Sequence, residues 1–193
     1  CTACVFDPAY TTAFARSGIA DQLDVFSYHL YRLQPELNNF YSELAALRRV
    51  FAENGGQHVR IHQGEAGCAS WFPENHWMHP YVLDSQENQA KCLLRRYVAD
   101  FGAGIEFSSF FQMADMVKPY KKGFDELKQP ARHGILDGDT YEPKMSYYAL
   151  AHIASLFDGD TTLAPFFMRL GCDREMPKSE RLSRLFNVSF VTH

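Results

Sequence analysis

No apolar run in this chain approaches the roughly 18 to 20 residues that a membrane-spanning helix needs. The start, Cys1-Thr2-Ala3-Cys4, has neither the basic nor the apolar region of a secretion signal. Membrane insertion is therefore disfavoured. A dense Lys/Arg stripe is also missing: 19 basic against 23 acidic side chains leave a net charge of -4, so nucleic acid is not an expected partner. No GxGxxG or Walker-type glycine loop opens a helix, which weakens a nucleotide-binding reading. Cysteine is sparse and irregularly spaced, at Cys1, Cys4, Cys68, Cys92 and Cys172. Cys1 and Cys4 form a CxxC, but no second pair completes a zinc site. The five cysteines read as scattered buried or free thiols, and their number leaves the compartment open. An initiator methionine is lacking as well, which raises the expectation of a piece cut from a longer chain.

What remains is a core-forming composition, 46% hydrophobic and 15% aromatic over 193 residues, enough to bury a sizeable interior. Residues 25–31 (VFSYHLY) are short, apolar and aromatic, as in a buried strand. Leu37, Phe40, Tyr41, Leu44, Leu47, Val50 and Phe51 then recur at helical spacing until Gly55-Gly56, residues that tolerate a left-handed C-cap. A second strand is expected over 58–63 (HVRIHQ) and a second helix from Ala90 to Phe101. A third strand follows over 105–113, and a third helix from Met145 to Phe157. A short helix at 9–16 precedes them all, so the order is αβαβαβα.

Strands alternating with covering helices predict a parallel sheet, either a doubly wound open sheet or part of a (β/α)8, or TIM, barrel. The helix-to-strand turns are short, whereas the strand-to-helix loops, 66–85 and 115–143, are long and chemically rich. That asymmetry favours the barrel, which builds its active face from loops at the strand C-termini. The fold expected is thus α/β, half of a barrel over residues 1–160. Residues 161–193 read as the incomplete start of a β-rich module.

Glu65 stands at the C-terminal end of the second strand in Gly64-Glu65-Ala66-Gly67. A carboxylate on such a rim can be a nucleophile, a general acid/base or a metal ligand, and also a plain solvated loop residue. His29 and Tyr31 share one face of the first strand with Ser27. On the third strand the polar set Ser108, Phe110 and Gln112 suits the barrel mouth better than the alternate set of Phe107, Ser109, Phe111 and Met113. Trp71, Phe72, His76, Trp77 and His79 crowd the loop after Glu65, and flat aromatic faces beside a carboxylate suit sugar rings. His76 and His79 lack a third ligand at diagnostic spacing, so no metal and no other cofactor is expected.

The order DVFSYHLY, HVRIHQGEAG, GIEFSSFFQMAD and YEPKMSYYALAHIASLFDG resembles the C-terminal half of clan A retaining glycoside hydrolases, near the family-39-like group, over about Asp7 to Gly159. The resemblance implies strands five to eight of the barrel, with Glu65 as catalytic nucleophile. It implies that His29, Tyr31, Trp71, Phe110 and Gln112 contact a carbohydrate substrate. Many members carry a Trp platform on strand eight; this chain has Phe110 and Phe111 there. The general acid/base, usually a Glu after Asn, has no counterpart here, since Glu53-Asn54 and Glu74-Asn75 have the reverse order. The expectation is therefore a fragment of a retaining glycosidase, inactive alone because that mechanism needs two carboxyl groups about 5 to 5.5 Å apart. Two alternatives stay open: a non-catalytic carbohydrate-binding barrel and an unrelated metal-dependent α/β-barrel hydrolase.

Overall fold

The computed structural model describes residues 7–32, 34, 36, 40–71, 85–117, 131–164 and 189–191. Helix α1 (Pro8–Phe14) is opened by Asp7, whose carboxylate accepts from the Ala9 and Tyr10 amides at 2.8 and 3.0 Å. Pro8 sits where its missing N–H costs nothing. Strand β1 (Val25–His29), helix α2 (Phe40–Ala52), strand β2 (Arg60–Ala66), helix α3 (Gln86–Gly102), strand β3 (Ser108–Phe110) and helix α4 (Met145–Leu156) follow. Two short strands, β4 (Thr162–Ala164) and β5 (Ser189–Val191), pair antiparallel, and Phe190 sets its ring edge-on to Phe157 just past α4, 4.5 Å between centroids.

Strands β1, β2 and β3 form a parallel sheet in that order. Parallel neighbours need a crossover, and α2 and α3 supply it. The core follows from strand alternation: Phe26, Tyr28, Leu30 and Ile61 turn to one side, where they pack with Phe40, Leu44, Leu47 and Phe51 of α2. Burying a side chain of this size is worth roughly 1.5–3 kcal/mol. Helix α2 ends at Ala52, and the turn that follows reaches Gly55, whose φ of 85° is the left-handed conformation expected of the glycine pair that closes the helix. Helix α3 starts at Ser85, whose hydroxyl accepts from the Asn88 amide at 3.0 Å, and packs on α4 through Leu93, Ile135 and Ile153.

The opposite side of the sheet carries Ser27, His29, His62 and Phe107, and Phe107 is 52% exposed. Among the described residues the sheet is open, with β1 and β3 as its edges. An α/β architecture with a parallel sheet is thus observed, and the described strands do not close into a barrel.

Two expectations are corrected here. The third strand was expected over 105–113, but only Ser108–Phe110 join the ladder, because β2 shifts register between its contacts at Gln63 and Ala66. Cys68 and Cys92 are not separate thiols; they form a disulfide with Cα atoms 6.6 Å apart, joining the exit of β2 to α3. A 24-residue separation hides such a pair from spacing rules, whereas the fold lays the two segments side by side.

Candidate active site

Glu65 reaches its position through an irregularity in β2. Tyr28 pairs with Gln63, and the next residue, His29, pairs with Glu65, so Gly64 is an extra residue on one strand only. Strict alternation would put Glu65 on the same side as Ile61 and Gln63, toward α2. One added residue reverses the alternation and places Glu65 beside His29 on the open side. Only glycine fits that bulge: a Cβ there would lie 2.1 Å from Ser27 Oγ and 3.2 Å from His29 Nε2. The strand therefore runs through the glycine-flanked segment to Ala66, and Glu65 stands within it rather than in a loop beyond it.

The Tyr31 hydroxyl donates to Glu65 Oε1 at 2.5 Å. His29 Nδ1 stands 3.7 Å from the other carboxylate oxygen, Oε2. Glu65 keeps 36% of its side-chain surface exposed and His29 23%, so the carboxylate is held and still reachable. Burial, then the bond to the Glu65 carboxylate, pushes the Tyr31 phenol well above its ordinary range, and it remains a donor at any physiological pH.

An aromatic wall continues from Tyr31. Its ring centroid lies 6.2 Å from that of His133, and His133 meets Phe111 edge-on at 5.6 Å. His133 is buried, in a segment whose carbonyls at His133 and Gly134 are approached by the Gln89 side-chain amide at 3.0 and 3.2 Å. The same amide donates to Cys68 O at 2.9 Å, tying the exit of β2 to the His133 segment. Beneath lies a buried ionic group: Lys144 Nζ is 2.9 Å from Asp115 Oδ1 and 3.1 Å from Ser70 Oγ, and Asp115 Oδ1 also accepts from the Gly134 amide at 2.8 Å.

The residues expected at the site divide. Glu65, His29 and Tyr31 come together. Phe110 does not join them: it packs with Leu93, Ile135 and Ile153 toward α3 and α4, and Ser108 donates to buried Asp100 of α3 at 2.5 Å. Ser108 and Phe110 thus face α3 and α4, and Phe111 is the residue that meets the His133 wall. Gln112 follows Phe111 across a cis peptide bond. Its backbone binds His133 and Ile135, and its side-chain Nε2 has no hydrogen-bond partner among the described residues. Trp71, 42% exposed, lines a separate open cleft of about 500 Å³ with Ser70, Ser85, Gln86 and Arg132. Phe72, His76, Trp77 and His79 lie outside the described residues. His133 escaped the sequence reading because it sits in a glycine- and proline-punctuated loop far from Tyr31, with no periodic signal. Among the described residues no three His, Cys, Asp or Glu side chains converge as metal ligands would.

No protein-family model and no curated protein sequence matches the chain. Solved structures do. The GH2 β-galacturonidase from Eisenbergiella tayi superposes with a TM-score of 0.50 at 20% identity, covering 69% of this chain and 24% of that one. The β-D-glucuronidase of Dictyoglomus thermophilum gives a TM-score of 0.50 at 16% identity, with 72% and 23% covered. The chain therefore spans about a quarter of the length of these enzymes. At this identity the likeness carries the fold, that of a glycoside-hydrolase domain, and does not single out family 39.

Proposed function

We propose that this chain is the nucleophile-bearing part of a retaining glycoside hydrolase, the C-terminal half of its (β/α)8 barrel, with Glu65 as the nucleophile. The observation that carries the reading is the Glu65 carboxylate, brought to the open side of a parallel sheet by a bulge, with one oxygen bound by a phenol. The glycoside-hydrolase fold supports it. Tyr31 occupies Oε1, which leaves Oε2 to attack an anomeric carbon. In the first displacement a C–O ester bond forms to Glu65, the glycosidic C–O bond breaks, and the leaving oxygen takes its proton from a second carboxyl group. That acid/base belongs to the parent polypeptide outside the residues described here. Water then cleaves the ester, its proton passing to the same group. His29 and Tyr31 orient the nucleophile. Phe111, in place of Phe110, offers the stacking surface beside it, and Trp71 and Gln112 are contacts for more distant parts of a carbohydrate.

The test is covalent labelling of the intact parent, the polypeptide whose sequence includes these 193 residues. Deoxyfluoro-glycosides with a dinitrophenyl leaving group need no acid to depart, so they read the nucleophile alone. The panel begins with the β-galacturonide and β-glucuronide, the sugars for which the two superposed enzymes are named. Mass spectrometry should find the glycosyl ester on Glu65, and a label on another carboxylate would sink the assignment. A parent that binds these sugars yet takes up no label would instead be a carbohydrate-binding barrel.

A further inference from the structure

Gln63 is wholly buried in the middle of β2, where an uncharged polar side chain has to be satisfied by the protein itself. It stands at the register shift, paired with Tyr28 on the strand that has no extra residue. Its amide, oriented as its neighbours require, donates to two main-chain carbonyls, Tyr28 O at 2.7 Å and Glu65 O at 3.0 Å. These two carbonyls flank the bulge, one on each strand. A single side chain thus closes both sides of the irregularity that reverses the alternation of β2.

We infer that Gln63 is a positioning residue for Glu65: its amide pins the Tyr28 and Glu65 carbonyls across the Gly64 bulge and so holds the carboxylate against the Tyr31 hydroxyl. The inference rests on the nucleophile reading only for its catalytic consequence; the geometry stands apart from it. Without the two N–H donors, the carbonyls either stay unpaired in the core or recover partners by letting β2 slip back to regular register. Regular register carries Glu65 toward α2 and away from Tyr31. Nothing at Gln63 touches a sugar, so the effect belongs to the rate at which a bound glycoside reacts rather than to how tightly it binds.

Gln63→Met, similar in size and without donors, tests this in the intact parent by two measurements. Labelling by the dinitrophenyl deoxyfluoro-glycoside should slow on the order of tenfold or more at saturation, with the half-saturating concentration unchanged. In the crystal structure of the variant, the Glu65 carboxylate should no longer lie within hydrogen-bond distance of Tyr31 Oη. If the wild type takes no label but the carboxylate still moves in the variant, the glycosidase reading falls and the positioning role stands. A variant whose carboxylate keeps its bond to Tyr31 overturns the inference whatever its labelling rate. Should Gln63→Met fail to fold, Gln63→Leu, shorter and likewise without donors, is judged on the same two measurements.

Discussion

At the scale of single residues the site turns on Gly64. Adding one methyl group there brings a carbon to 2.1 Å from Ser27 Oγ, far inside van der Waals contact. Either Ser27 turns away, disturbing β1, or the bulge straightens and takes Glu65 with it. Gly64→Ala is therefore expected to destabilise the parent by about 1–3 kcal/mol and to slow labelling of Glu65. The clash is with one atom, so Ser27→Ala in the same protein should restore most of the loss, the remaining tightness being against His29. Urea denaturation of the two single variants and the double variant measures that coupling. Additive losses would show that the two residues do not meet as described. Glu65 itself was legible in the sequence because a carboxylate between glycines at a strand end is a recognisable pattern. The face it occupies was not, since one inserted residue inverts an alternation and leaves no mark in composition.

At the scale of elements, periodicity located β1, β2, α2, α3 and α4, because each buries one side against a neighbour and its apolar residues record that side. The third strand was over-extended for the same reason: Ile105, Phe107, Phe110, Phe111 and Met113 spread apolar side chains along the whole of 105–113, but ladder pairing depends on the partner strand, and β2 is irregular there. The buried ionic group beneath the His133 segment left no periodic trace, as Ser70, Asp115, Arg132 and Lys144 come from four separate loop or cap positions. Burial raises the Asp115 carboxyl above the usual range, against the opposing pull of Lys144. A native pKa above the unfolded value means that the folded state holds its proton longer, so stability falls as pH rises through that window. Lys144→Met removes the main opposing charge and widens the window. The variant should lose about 3–5 kcal/mol at neutral pH and regain part of it at acid pH, as Asp115 takes up a proton. Chemical denaturation of wild type and variant at both pH values checks the sign. A loss that is the same at both would mean that the charge of Asp115 is not what Lys144 holds.

At the scale of the whole molecule, the likeness to glycoside-hydrolase domains and the open sheet bear on one another. Among the described residues the three parallel strands are covered by helices on one side, while Phe107 and His62 lie on the other and β1 and β3 are the edges of the sheet. In a complete barrel such residues fill the interior and the edges pair. Left open, they offer apolar surface and unpaired strand edges, the features that drive association between chains. The disulfide from Cys68 to Cys92 and the Gln89 amide hold the exit of β2 to α3 locally, but neither covers the open side. The 193-residue segment expressed alone should therefore bind a dye such as ANS, lack sharp near-UV circular dichroism, and self-associate as its concentration rises. If the chain is half of a barrel, as proposed, co-expression with the other half should suppress all three, because the same surface would then be buried. A monodisperse monomer with a cooperative melt and native-like near-UV signals would show instead that residues outside the described set already close the sheet, and that the segment is a complete folding unit.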